Sequence, residues 1–166
     1  MSLPIAAVGA LIAALLETSV FPELSIGGVK PDLILVFTVV VALIVAFEDA
    51  LAWAFVGGLL VDALSGRPIG ATTLALLVVT GLALLAGRVI GTPRLITVAI
   101  AVFVLAWVYQ VLLLAILAVT ADVSFTDLPI ERLLAIAIVD VVLSLLVVVA
   151  IRALSRRFGS PERIEW

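Results

Sequence analysis

The chain has 166 residues, of which 66% are hydrophobic and 13% are charged, and its formal net charge is −3. With a mean hydropathy of +1.47, it carries more apolar surface than a soluble domain of this size can bury, so we expect an integral membrane protein. The sequence has no cysteine and no histidine, which excludes disulfides, thiol nucleophiles and zinc sites built from those residues. We expect one polytopic transmembrane domain over residues 1–154 and a short cytoplasmic tail over 155–166.

Six apolar segments follow one another along the chain. Crossing the hydrocarbon as a helix takes about 20 residues, and the segments cover residues 3–21, 33–47, 50–64, 69–89, 95–120 and 133–154. The third is short, so the second and third segments form either two spans or one hairpin that does not cross, and we favour two spans. Because backbone groups in lipid must be bonded internally, the sequence predicts an all-α membrane protein with about six transmembrane helices.

The distribution of basic residues predicts the orientation. With six spans and a cytoplasmic N-terminus, six basic residues lie inside and three lie outside. The inner set is Arg88, Arg94, Arg152, Arg156, Arg157 and Arg163, and the outer set is Lys30, Arg67 and Arg132. The positive-inside rule therefore places both termini in the cytoplasm.

Small residues recur along one face of the third segment. Ala50, Ala54, Gly58 and Asp62 follow at four-residue spacing, which places them on one side of a helix. Such a stripe is typical of a surface where another membrane helix packs closely. Alanine and glycine are also common in membrane helices, so a chance stripe is the alternative.

Polar residues inside apolar runs are few. Asp140 and Ser144 share a face of the sixth segment, and Gln110 lies in the middle of the fifth. A carboxylate at the bilayer centre costs about 2.5–3.5 kcal/mol on insertion scales, so Asp140 needs compensation. It is either a proton or ion site or, as we favour, a structural acceptor of a hydrogen bond from a neighbouring helix such as the one that carries Gln110. Glu17, Asp62 and Arg67 lie near segment ends, where pairing or a reach to the interface is expected.

The sequence carries none of the common catalytic motifs. It lacks a phosphate-binding loop, a His-Glu metal motif and a Gly-x-Ser-x-Gly elbow. An aspartyl protease mechanism needs two aspartates that face each other; Asp62 and Asp140 could be recruited, but neither lies in a supporting motif. We expect no enzyme activity, no cofactor and no bound metal, and no basic run indicates nucleic acid.

Three stretches of the first half resemble one bacterial family. They are LETSVFP at 16–22, GGVKPDL at 27–33 and, above all, GGLLVDALSGRPIG at 57–70. This order, with the last stretch between two spans, is similar to the rod shape-determining protein MreD family. The motif residues are Pro31, Asp32, Gly57, Gly58, Asp62, Ser65, Gly66, Arg67, Pro68 and Gly70.

The resemblance implies a non-catalytic scaffold of the cell-elongation machinery in the bacterial inner membrane. Members of the family associate with MreC and, through it, with MreB, the glycosyltransferase RodA and its penicillin-binding transpeptidase partner. Their architecture is similar to that of the S-components of energy-coupling-factor vitamin transporters. A transporter subunit of that kind is therefore the alternative function, and a lipid-linked precursor flippase ranks third because no Lys or Arg lies mid-span.

The break between the third and fourth segments is the best candidate for a structural site. Ser65 and Gly66 are suited to closing one helix and Pro68 to starting the next. Arg67 is placed to balance the charge of Asp62. We expect Asp62→Ala to destabilise the fold or the complex it enters.

Overall fold

A computed structural model describes residues 3–20, 31–44, 47–90, 95–120 and 130–158. This part of the chain contains six α-helices and one π-helical turn. They are α1 (Leu3–Leu15), the π turn (Leu16–Val20), α2 (Leu33–Ile44), α3 (Phe47–Ser65), α4 (Ala71–Ile90), α5 (Leu95–Thr120) and α6 (Ile130–Phe158). The prediction of an all-helical protein with six helices is confirmed.

Three of the described helices are long and apolar enough to cross a membrane. They are α4 over Ala71–Arg88, α5 over its whole length and α6 over Leu133–Ile151. Shorter apolar stretches lie at Val8–Ser19 and Leu33–Leu43. The protein is therefore a helical membrane protein.

Helix α3 begins earlier than the hydropathy pattern predicts. Its first turn contains Glu48 and Asp49, which the sequence pattern treated as a break between two segments. Carboxylates stabilise the N-terminal end of a helix because they face the positive end of its dipole. Helix α6 also exceeds its predicted range of 133–154 at both ends.

Helix α2 lies at the centre of the bundle and contacts each of the other five helices. Its side chains are buried on several sides, among them Leu33, Ile34, Leu35, Val36, Val39 and Val40. A helix that is apolar all round is expected where no face meets water. Around it, α3 packs against α1 and α4, and α5 packs against α4 and α6.

Small residues allow α3 and α4 to approach closely. Ala50 and Ala54 are fully buried, and a Cβ added to Gly58 would lie 2.6 Å from the Cα of Thr73. That contact is with backbone, which cannot move aside as a flexible side chain can. Gly57 faces α2, where an added Cβ would lie 2.6 Å from the Cδ1 of Ile34.

Candidate functional site

Asp62 caps the N-terminus of helix α4. Its side chain is fully buried and accepts hydrogen bonds from the amides of Gly70 (2.9 Å), Thr72 (2.9 Å) and Thr73 (3.3 Å) and from the Thr73 hydroxyl (3.1 Å). The first amides of a helix have no partner within it, and the helix dipole favours a negative charge there. The break between α3 and α4 therefore provides every partner that this buried carboxylate needs.

The backbone of the break closes helix α3 in a Schellman arrangement. The amide of Arg67 donates to the carbonyl of Asp62 at 3.1 Å, and Gly66 has a φ of 65°, the left-handed conformation that glycine adopts readily. The amide of Ala71 donates to the carbonyl of Pro68 at 3.1 Å. Pro68 thus forms a turn before α4, whereas the sequence predicted that it starts the helix.

The N-terminus of α2 is held by carboxyl groups from two other parts of the fold. Glu17, in the π turn, accepts a hydrogen bond from the amide of Ile34 at 2.7 Å. Asp140, on α6, accepts one from the amide of Asp32 at 2.9 Å. The side chain of Asp32 is itself bound by Gln110 of α5, whose amide nitrogen donates to Asp32 Oδ2 at 2.8 Å. Four elements therefore meet where α2 begins.

The π turn places Glu17 at the start of α2. Within it the hydroxyl of Thr18 donates to the carbonyl of Ala14 at 2.8 Å. A π turn takes one more residue per hydrogen bond than an α turn, and such turns are frequent at functional sites.

Arg67 and Tyr109 complete this cluster. The guanidinium of Arg67 interacts electrostatically with both Glu17 and Asp32 and donates to the hydroxyl of Thr72 at 3.4 Å. Tyr109 is fully buried and lies within the electrostatic reach of the same groups. We call the cluster the polar layer, and its residues are Glu17, Asp32, Arg67, Tyr109, Gln110 and Asp140.

Two atoms of the polar layer are buried without a hydrogen-bond partner in the described part of the chain. They are the Oδ2 atom of Asp140 and the hydroxyl of Tyr109. Both residues have no exposed surface. Since buried polar atoms normally have a partner, each of these two calls for an explanation.

The polar layer lies well inside the ends of α5 and α6. Gln110 is ten residues before the last residue of α5, Thr120, and Asp140 is ten residues after the first residue of α6, Ile130. At 1.5 Å per residue the two helices extend about 15 Å past the layer. The π turn, α2, α3 and α4 instead begin or end close to it.

The predicted site residues divide into two groups around these contacts. Asp62, Gly66, Arg67, Pro68 and Gly70 lie at the α3–α4 break, with Ser65 as the last residue of α3. Pro31 is buried beside Asp32 at the start of α2. The hydroxyl of Ser144, on α6, donates to the carbonyl of Val141 at 2.7 Å.

Two predicted contacts differ in the structure. Asp140 does accept a hydrogen bond from another element, but the suggested donor helix is wrong, because the donor is the amide of Asp32 before α2 and Gln110 on α5 donates to Asp32. The expected balancing of Asp62 by Arg67 is replaced by the backbone amides and hydroxyl that bind Asp62. The role of Glu17 was not predicted, since its partner is a backbone amide of another helix, which no side-chain motif marks.

A separate apolar groove of about 380 Å³ lies on α5, lined by Trp107, Val108, Val111, Leu112 and Ala115. At 100° per residue these positions share one side of the helix, and Tyr109 and Gln110 point to the other side. No group of three or more Asp or Glu side chains within the described ranges is placed to hold a metal ion.

The family model for the rod shape-determining protein MreD matches residues 3–158, which include both the α3–α4 break and the polar layer. The chain belongs to the MreD family. Membership of the MreD family confirms the resemblance predicted from the motifs and assigns the protein a role in rod shape determination. No curated protein and no solved structure matched the chain, so the predicted likeness of this MreD-family fold to transporter S-components stays a prediction.

Proposed function

We propose that this MreD-family protein is a non-catalytic membrane scaffold that binds MreC and helps to organise peptidoglycan synthesis during cell elongation. The observation that carries the proposal, beside the family, is how the buried carboxyl groups are used. Asp62, Glu17 and Asp140 each accept hydrogen bonds from backbone amides at helix ends. Carboxyl groups bound in this way fix where helices begin. This is a structural role, as expected for a scaffold.

The proposed setting rests on the family and on the distribution of basic residues along the chain. The protein lies in the bacterial inner membrane as one transmembrane unit over residues 1–154, with both termini and the tail at 155–166 in the cytoplasm. MreC is the direct partner. RodA, the penicillin-binding transpeptidase and MreB join through it.

The helix surfaces supply the means of binding. Large apolar side chains on the outward faces of α5 and α6 are exposed, among them Ile100, Val111, Ile138, Val142 and Leu146. In a membrane these faces meet lipid or another helix, and helices associate there through close packing. The groove on α5 adds a concave surface to the flat ones, so it is the first surface to examine for a partner helix.

Co-purification from the native membrane tests the proposal. A tagged copy of the whole chain, extracted in mild detergent, should bring down MreC and with it the RodA synthase complex. Recovery of an ATPase and a transmembrane coupling subunit in their place would contradict the scaffold and favour a transporter.

Site-specific photo-crosslinking sharpens the same experiment. A photoreactive residue at Val111, in the α5 groove, is compared with one at Phe55, which is equally exposed on α3. If MreC packs on the groove, the crosslink forms from Val111 and not from Phe55. Crosslinks from Phe55 alone would move the interface to α3 and leave the scaffold role intact.

A further inference from the structure

We propose that the polar layer is a proton-binding site, and that Asp140 holds a proton while helix α2 is docked. The proposal concerns the fold of the protein in its membrane and does not depend on which partners it binds. It rests on the charges gathered in the layer, on an unpartnered oxygen atom and on the contact with α2.

The first argument is the balance of charge. Glu17, Asp32 and Asp140 interact with one another, and Arg67 is the one cation that the described part of the chain brings to the layer. With all three carboxyl groups ionised, the layer would carry two negative charges more than positive ones in an apolar surrounding. Uncompensated charge in such surroundings costs several kcal/mol, and a proton on Asp140 halves this excess.

The second argument separates Asp140 from Asp62. Asp62 accepts four hydrogen bonds at the N-terminus of α4, so its negative charge is compensated where it lies. Asp140 accepts one, from the amide of Asp32, and its second oxygen is buried with no partner among the described residues. With only one donor among the described residues, the negative charge of an ionised Asp140 would be left largely uncompensated, and protonation removes that charge.

The third argument concerns the other charged and titratable groups of the polar layer. Glu17 reaches the layer from the π turn, Asp32 from the start of α2 and Arg67 from the α3–α4 break. Tyr109 belongs to the layer from α5, and its buried hydroxyl has no partner among the described residues. The nearest carboxyl groups, Asp32 and Glu17, are both like charges, so they favour the neutral form of Asp140.

The geometry also selects the ligand. No three of the described acidic side chains are placed to hold a metal ion, and Asp140 and Tyr109 have no exposed surface through which an organic cation could enter. A proton needs neither a coordination shell nor a cavity. It is therefore the positively charged ligand that this layer accommodates.

Loss of the proton acts on α2. An ionised Asp140 adds a negative charge beside Asp32, the residue that precedes α2 and whose amide Asp140 binds. The folded protein holds this proton more tightly than the unfolded chain does. The proton therefore adds to the free energy of unfolding at low pH, and this contribution is lost as the pH rises.

The test compares Asp140→Asn with the control Glu48→Gln. Glu48 is exposed and lies in the first turn of α3, at the opposite end of that helix from the α3–α4 break. Asparagine keeps an oxygen for the amide of Asp32 and carries permanent donors where the proton lies. Thermal unfolding in mild detergent is followed from about pH 5 to about pH 9, which spans the range in which a displaced carboxyl titrates. The wild type and Glu48→Gln should lose melting temperature as the pH rises, and Asp140→Asn should lose about half as much or less. An unchanged pH dependence in Asp140→Asn would overturn the proposal.

A measurement on the wild-type protein decides the matter even if the variant does not fold. With ¹³C at the aspartate carboxyl carbons, solid-state NMR in lipid distinguishes a neutral carboxyl from a carboxylate by chemical shift. One neutral aspartate at pH 7, assigned to Asp140 through its α6 neighbours, is the expected result. Finding every aspartate ionised at that pH would rule the proton out.

Discussion

Asp62 and Asp140 are both fully buried aspartates, yet their surroundings are opposite. The partners of Asp62 come from the eleven residues that follow it, whereas the single partner of Asp140 lies 108 positions away. The carboxyl group of Asp62 is bound by a local turn, whereas that of Asp140 is bound only when the bundle has assembled. The cap at Asp62 can form once α3 and α4 have formed. The polar layer can form only after the π turn, α2, the α3–α4 break, α5 and α6 have packed together.

The largest effect is expected where local partners are lost. Asp62→Ala leaves the amides of Gly70, Thr72 and Thr73 buried without an acceptor, so the free energy of unfolding should fall by about 3–5 kcal/mol. Asp140→Ala leaves only the amide of Asp32 without its acceptor and should cost about 2 kcal/mol. Unfolding of both variants in the same detergent measures the difference, and equal losses would break the comparison between the two sites.

The close contact between α3 and α4 should give the next largest effect. Gly58→Ala places a methyl group against the backbone of Thr73, and overpacking of this kind costs about 1–3 kcal/mol. Gly81→Ala is the matched control, because no atom lies within 4 Å of the added carbon. The control should be neutral or slightly stabilising by thermal unfolding. A neutral Gly58→Ala would show that the two helices can separate without cost.

The smallest of these effects is expected at the link between α5 and α2. Gln110→Leu keeps the size of the side chain but removes the donor to Asp32, so we expect a loss of about 1–2 kcal/mol. Val111→Ala, on the exposed side of the same helix, should change stability by less than about 0.5 kcal/mol. The contact would be dispensable if the two variants unfolded alike.

Features decided by residues close together in the chain could be predicted from the sequence, whereas contacts between distant residues could not. Residues 95–120 were predicted as one helix with its observed bounds, since nothing but apolar residues and flanking breaks decides them. The structural role of Asp62 could be predicted because Gly66, Pro68 and Gly70 follow it at the spacing of a turn. The partner of Glu17 could not be predicted, because it is a backbone amide of a distant helix and no sequence pattern identifies such a donor.

The predicted start of α3 was wrong for a different reason. Hydropathy treats Glu48 and Asp49 as an interruption, whereas a helix accepts acidic residues in its first turn. Gln110 was identified as a buried polar residue that bonds across helices, but the identity of its partner depended on where α2 begins. That position is fixed by tertiary contacts, which periodicity does not contain.

The unequal lengths of α4 and α5 bear on the lipid around the protein. Helix α4 has 20 residues and α5 has 26, which correspond to about 30 Å and about 39 Å. A typical hydrocarbon core is about 30 Å thick. A flat bilayer of that thickness fits an upright α4 but is too thin for an upright α5, so α5 must tilt or the lipid around it must thicken. A neighbour with an equally long span would relieve that mismatch.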